Sequence, residues 1–309
     1  MISVIVPARN AAATIAATLF SLVPDKALIG EILLIDDGST DGTVLQALDV
    51  CRAHALPLSV TSVCFGSAGA ARNTGLEKVA CDCVFFLDAD DEVISGGLAR
   101  LYERLESSPG AGLAVGPFTR RTSGLPDVIK LPGSYAGNRK KNAERYLRND
   151  LRSMAIGSAL FAFSEVRDIR FPVSITLDED TYYWTALLTR LDVVTVKEPV
   201  MVYNVDEKRM INRFATDSRA MFLSTALVLN DLERFGVGRG TVQWRKAWLA
   251  QRMARMLIKR QRYDEADRMM RVARVHAAFR WTLRFIRYRA RIRFGRTRRG
   301  VAPPPGSRS

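Results

Sequence analysis

An α/β fold with a mainly parallel central sheet flanked by helices, followed by an α-helical C-terminal extension, is the class this sequence predicts. Three observations carry the prediction. Short apolar runs rich in β-branched and aromatic residues alternate with helical segments, the pattern of βαβ units. Polar or acidic turns follow several of these runs. Lastly, charge is divided unevenly. Residues 241–309 hold 20 Lys/Arg against Asp264, Glu265 and Asp267, a local net of +17, whereas residues 1–240 carry a net of −3. The chain's +14 therefore belongs to its C-terminal part.

The elements follow in order. Ile2–Val6 is continuous and β-branched, a strand buried on both faces. Ala11–Leu22 is Ala-rich and helical. Glu31–Ile35 is a second buried strand that ends in Asp36-Asp37-Gly38-Ser39-Thr40-Asp41-Gly42. Thr43–Ala53 reads as a helix, Leu58–Val63 as a strand, Ala68–Val79 as a helix and Cys83–Leu87 as a strand. Beyond it Gly96–Glu106 is helical and Leu113–Val115 a short strand. Residues 117–142 read as loops, Gly157–Phe163 as a strand and Thr181–Leu191 as a helix. From Phe214 onward every segment reads as helical, and Val301–Ser309, rich in Pro, Gly and Ser, as disordered. The expected division is an α/β domain over 1–212 and a basic helical extension over 213–309.

Composition excludes several classes. With only His54 and His276, a histidine triad or zinc site lacks ligands. Cys51, Cys64, Cys81 and Cys83 show no metal-finger spacing and read as reduced packing residues, which points to a cytoplasmic protein. No segment approaches the ~18 consecutive apolar residues of a membrane span. The N-terminus lacks a basic region, and Pro7, Arg9 and Asn10 break its apolar run, so it is not read as a signal peptide. The turn Pro7-Ala8-Arg9-Asn10 also lacks the Gly-rich dinucleotide fingerprint.

The most telling stretch is Phe85-Phe86-Leu87-Asp88-Ala89-Asp90-Asp91, a buried strand that ends in three carboxylates. Unpaired charge does nothing for a core. Hard divalent cations take oxygen ligands and commonly share them with phosphates, so the reading is a Mg²⁺ or Mn²⁺–diphosphate site at the rim of the sheet. In parallel sheets ligands bind beyond the carboxyl ends of strands. Pro7–Asn10, Asp36-Asp37 and Asp88–Asp91 all fall there. Turn and capping chemistry accounts for Gly38, Ser39 and Asp41 but not for the extra acids, and Asp37 suits an N–H of a nucleobase. Arg72, on the small-residue helix start Gly69–Gly75, suits phosphate. Asp178-Glu179-Asp180 is either a negatively charged helix start or the source of a general base.

Together these segments resemble a family 2 glycosyltransferase of GT-A, Rossmann-like fold. The matching residues are Val4–Asn10, Ile35–Thr43, Ala71–Gly75 and Phe86–Asp91, with Arg170-Phe171-Pro172, Glu179-Asp180 and Pro199–Tyr203 further on. The resemblance covers roughly residues 1–212. It implies inverting transfer from a nucleotide-diphospho-sugar, a UDP-sugar first among the candidates. It further implies that Pro7, Ala8, Asn10 and Asp37 line a nucleobase pocket, that Arg72 lies near base and diphosphate, and that Asp88 faces the ribose and metal. Asp90 would bind the metal and Asp180 would be the base, with Glu179 beside it and Asp178 a weaker candidate. Gln243-Trp244-Arg245 has the residue types of the processive synthases' Gln-x-x-Arg-Trp signature but not its spacing. Addition of one sugar at a time is therefore expected, to a hydroxyl of a surface-glycan or lipid-linked acceptor. A nucleotidyltransferase, or a non-catalytic sugar-nucleotide or nucleic-acid binder, is the alternative.

In the tail, Trp281, Phe285, Tyr288 and Ile292 form one helical stripe, and Leu283, Ile286, Ala290 and Phe294 a second. Arg280, Arg284, Arg287 and Arg291 line the edge between them. One stripe docks on the protein while the other meets a partner. An anionic membrane met through residues 280–299 is favoured over nucleic acid, with simple helix packing as the third reading. The expected location is peripheral, at the cytoplasmic face of the cell membrane.

Overall fold

The computed structural model describes residues 1–151, 154–175, 177–205, 218–276 and 283–298. The chain divides into two compact units, Met1–Asp206 and Glu207–Ser309.

The first unit is built on a seven-stranded sheet. Its centre is β1 (Ile2–Ala8), flanked by β2 (Ile29–Asp37) and β4 (Cys83–Phe86), both parallel to it. β3 (Leu58–Val63) extends the parallel half beside β2. On the other side lie β9 (Ala159–Ala162), β6 (Ala111–Val115) and β10 (Asp192–Thr195). β9 runs antiparallel to both of its neighbours, β4 and β6. A second, four-stranded sheet has the order β5 (Glu92–Val93), β11 (Met201–Val205), β7 (Phe118–Thr122), β8 (Val128–Lys130). The class is α/β, as expected. The loop-rich reading of 117–142 is corrected, because these residues form β7, β8 and the start of helix α5 (Arg139–Leu147). Their strands are short, and β8 is wholly exposed, so no apolar period marks them.

Burial explains the order. Val4, Ile5, Val6, Ile32, Leu34 and Phe85 are fully buried in the sheet, each contributing roughly 1.5–3 kcal/mol relative to exposure. Helix α1 (Ile15–Phe20) is shorter than the expected Ala11–Leu22. The amides of Ala11 and Ala12 are claimed instead by Thr43 Oγ1 (2.8 Å) and Asp41 Oδ2 (3.1 Å), which ties the chain after β1 to the start of α2 (Thr43–His54). Helix α3 (Ala68–Lys78) lies so close to β1 that a Cβ on Gly75 would stand 2.5 Å from Ile5 Cγ2. α4 (Gly97–Glu106) and α6 (Glu179–Leu188) complete the helices of this unit. Cys51 and Cys83 are buried free thiols, but Cys64 is exposed rather than packed.

The described part of the second unit holds helices only: α7 (Ser218–Asn230), a short 3-10 turn, α8 (Arg239–Lys259), α9 (Tyr263–His276) and α10 (Leu283–Arg298). α9 buries Ala266, Met269, Met270 and Ala273, one stripe at helical spacing. In α10, Ile292 is buried and Tyr288 half-buried, whereas Arg287, Arg291 and Phe294 are exposed. Trp281 and the side chains of Phe285 and Ile286 lie outside the described residues, as do 206–217 and the tail 301–309. No helix among the described residues is long and apolar enough to cross a membrane.

Candidate active site

The rim beyond the carboxyl ends of β1, β2 and β4 gathers most of the residues picked out in the sequence. Pro7 and Ala8 end β1, opposite Ile35 and Asp36 of β2. Asn10 follows with φ +49°, a left-handed backbone that Asn tolerates better than most residues. Its amide donates to Ser39 Oγ (2.9 Å), and its Oδ1 accepts from the Thr40 amide (2.8 Å). The two turns are thus stitched into one surface. Asp37 is buried, and its carboxylate accepts the amides of Gly66 and Ser67 at 3.0 Å as well as that of Phe65. It therefore organises the loop between β3 and α3. A carboxylate offers about four acceptor positions, so one remains for a ligand N–H.

The acidic turn after β4 is held at each peptide. The Ala89 carbonyl accepts the hydroxyls of Thr14 (2.7 Å) and Thr18 (3.0 Å) of the first helical segment. The Asp91 amide closes the turn on the Asp88 carbonyl at 3.0 Å. Asn204 of β11 donates its side-chain amide to the Asp90 carbonyl and its backbone amide to Asp91 Oδ1, both at 2.8 Å. Carboxylate oxygens of Asp88, Asp90 and Asp91 lie within 4.8 Å of one another. Asp91 is only 1% exposed, and its Oδ2 has no hydrogen-bond partner among the described residues. Burial, then the charge of Asp88, pushes its pKa up to about 9, although the Asn204 amide opposes the rise. Three crowded acids with an orphaned buried oxygen are an unbalanced arrangement that a hard divalent cation would balance. The donor set fits such an ion.

Arg72 sits beside this cluster. It is buried, its guanidinium reaches Asp88 Oδ1 at 2.5 Å, and it lies 5.3 Å from the centre of the Phe171 ring. Burial works against its charge. The pull of Asp88, Glu179 and Asp180 outweighs burial and holds its pKa above the ordinary value. Arg72 therefore feels both acidic clusters, the turn after β4 and the start of α6. Phe171 is set by Asn73, whose side-chain amide clamps its backbone N–H and C=O at 2.8 Å each, and by stacking on Tyr183 at 3.9 Å.

At the second cluster, Asp178 occupies the position just before α6 with a left-handed backbone (φ +64°), and Asp178 and Glu179 are buried. Asp180 is half-buried and accepts the Thr181 amide at 2.7 Å. Tyr203 of β11 lies within electrostatic reach of both clusters. Burial, and then the charges of Asp91, Asp88, Asp180 and Asp90, raise its pKa to about 12. The sequence does not mark Tyr203, Asn204, Thr14 and Thr18 as site residues, and it marks Asp91 only as one of three carboxylates, with no role of its own. Only Asp91 and Tyr203 left a signal there, as members of matched segments.

These features agree with what comparison with known proteins finds. Residues 3–169 match the family model described as glycosyl transferase family 2. A UDP-Glc:alpha-D-GlcNAc-diphosphoundecaprenol beta-1,3-glucosyltransferase of Escherichia coli is 34% identical over 98 residues, 32% of this chain and 38% of that protein. A teichoic acid poly(glycerol phosphate) polymerase of Staphylococcus epidermidis is 26% identical over 148 residues, 48% of this chain and 20% of that protein. The chain thus spans well under half the length of these relatives. Among solved structures, S. aureus TarS 1–349 in complex with UDP-GlcNAc superposes with a TM-score of 0.64 at 18% identity, covering 98% of this chain and 93% of that one. The mannosyltransferase PcManGT of Pyrobaculum calidifontis, in complex with GDP-Man and Mn²⁺, gives 0.57 at 16% identity, covering 98% and 81%. Both likenesses concern the fold, which is GT-A. The family model covers more than half of the 309 residues and includes all three turns of the rim, so the chain belongs to glycosyl transferase family 2.

Proposed function

We propose that the chain transfers one sugar, with inversion and metal dependence, from a nucleotide-diphospho-sugar to a hydroxyl of a lipid-linked or surface-glycan acceptor. The observation that carries this reading is the pairing of Arg72 with Asp88 in the crowded Asp88, Asp90, Asp91 turn, within electrostatic reach of Glu179 and Asp180. Family membership favours glycosyl over nucleotidyl transfer.

Pro7, Ala8, Asn10 and the remaining acceptor position of Asp37 hold the nucleobase. Asp90, with Asp88 and Asp91, would hold Mg²⁺ or Mn²⁺, which when bound neutralises charge on the departing diphosphate. Arg72 fixes Asp88 and opposes the summed negative charge of the two clusters. Asp180 takes the proton of the attacking hydroxyl, with Glu179 beside it. Attack from the face opposite the leaving group inverts the anomeric centre, as in single-displacement hydrolysis. A UDP-sugar is favoured as donor: the E. coli relative is named for UDP-Glc, and TarS was solved with UDP-GlcNAc. The lipid-linked acceptor draws support from the diphosphoundecaprenol in the E. coli relative's name. The proposed domain division is 1–212 and 213–309, with the basic helix α10 placing the enzyme on the anionic cytoplasmic face of the membrane through Arg287, Arg291 and Phe294.

A thermal-shift panel of nucleoside diphosphates and sugar nucleotides, each with Mn²⁺ and with chelator, tests the donor reading. A ligand at 100 times its Kd adds about 2.7 kcal/mol. A shift for UDP or a UDP-sugar that needs Mn²⁺ supports it, and no shift with any nucleotide refutes it.

A further inference from the structure

An exposed apolar hairpin emerges beside the acidic turn. β7 runs parallel to β11 and places Arg121 opposite Asn204, the residue that holds Asp90 and Asp91. The chain turns back through Gly124 (φ +76°) into β8, the outer strand of the four-stranded sheet. Every residue from Ser123 to Leu131 is exposed. Four of them are large and apolar: Leu125 (61% exposed), Val128 (46%), Ile129 (57%) and Leu131 (48%).

Successive strand residues point to opposite faces, so Val128 and Ile129 leave apolar groups on both sides of β8. A protein docking on one face would cover only half of them. Strand pairing by a second copy is also disfavoured. β8 has three residues, carries Lys130 and is bracketed by Pro126 and Pro132, the features that guard sheet edges against pairing. The stretch of chain that contains the hairpin is basic: residues 118–141 hold six Lys/Arg against Asp127 alone. Arg121 and Arg139 are engaged with Asp127 (3.3 Å) and Asp192 (2.8 Å), while Lys130, Lys140 and Lys141 are exposed. An apolar tip that carries the exposed ammonium of Lys130, in a basic stretch of chain, matches the layered chemistry of an anionic bilayer, with hydrocarbon below and phosphate above.

We propose that the hairpin tip, Leu125 to Leu131, enters the interface of an anionic bilayer and brings that surface to the edge of the active site. Its purpose rests on the lipid-linked acceptor proposed above. The contact belongs to the catalytic unit and is separate from the one proposed for α10.

The test uses the full chain carrying Ile129→Trp, with the unsubstituted chain subtracted, and vesicles of phosphatidylcholine alone or mixed with phosphatidylglycerol. The emission added by the substitution should shift to the blue and be quenched by brominated acyl chains only when the anionic lipid is present. Leu125→Ser/Ile129→Ser changes exposed side chains alone, and should lower partitioning onto these vesicles by about tenfold or more. Failure of the chain to sediment with vesicles, or sedimentation without a blue shift, would overturn the proposal. A dimer in ultracentrifugation that the double substitution dissolves would also overturn it and assign the hairpin to a second copy. Nucleotide binding measured without vesicles separates this from the donor reading. A chain that binds nucleotide but no bilayer refutes the hairpin, whereas one that inserts the hairpin but binds no nucleotide refutes the donor site.

Discussion

Arg72→Met isolates the electrostatic balance of the site. Methionine keeps the apolar stem against Phe171 and removes the guanidinium. Breaking a buried ion pair on one side costs about 3–5 kcal/mol, because the other charge is left uncompensated. The Asp88 side chain is 29% exposed against 6% for Arg72, so solvent relieves part of this, and a loss of about 2–3 kcal/mol is expected. Adding Asp88→Asn to the variant should recover at least about 1 kcal/mol, since the carboxylate left without its direct partner is then removed. Mn²⁺ should stabilise Arg72→Met more than it stabilises the parent, because a cation among Asp88, Asp90 and Asp91 offsets the charge that Arg72 no longer meets. Urea unfolding of the three proteins, with Mn²⁺ and with chelator, reads all of these quantities. A loss below about 0.5 kcal/mol, the scale of an ordinary surface substitution, would refute the reasoning. So would a double variant less stable than Arg72→Met.

Three further outcomes are expected. Asp90→Asn should lower Mn²⁺ affinity by at least about 10- to 100-fold with little change in the unfolding midpoint, read by electron paramagnetic resonance titration. Asp180→Asn should bind donor normally and lower kcat by about 10²–10⁴; near-normal turnover would move the base to Glu179 or Asp178. In the second unit, burial and then the charge of Lys246 hold the pKa of His276 below its ordinary value. The folded state thus binds fewer protons than the unfolded chain. The His276 contribution is present above the unfolded-state pKa of about 6.5 and is lost as pH falls through the lower folded value, so His276→Gln should flatten the stability profile on the acid side of that range.

Much of the fold was legible in the sequence because β1, β2 and β4 are buried on both faces and read as unbroken apolar runs. The rim was legible for the opposite reason: Asp88–Asp91 interrupt such a run with charges that no core wants. What escaped depends on distant pairing. Asn204 reaches the acidic turn across 113 residues, and Tyr203 feels both clusters only because β11 joins a second sheet. The short strands of that sheet carry no clear period. The insertion of β9 antiparallel between β4 and β6 is likewise unmarked, since a four-residue apolar strand reads the same in either direction. Asp37 was read as a ligand acceptor, and the structure adds a task that local sequence does not reveal, the binding of three amides from the loop after β3.

The proposed role of the Asp88, Asp90, Asp91 turn is to hold a divalent cation against the diphosphate of a sugar nucleotide. Electron–nuclear double resonance on Mn²⁺ with the full chain and UDP addresses it most directly. One bound Mn²⁺ should couple to the phosphorus nuclei of UDP, with the coupled species absent in Asp90→Asn. Bound UDP with no Mn²⁺–phosphorus coupling, or the same coupling in Asp90→Asn, would contradict it.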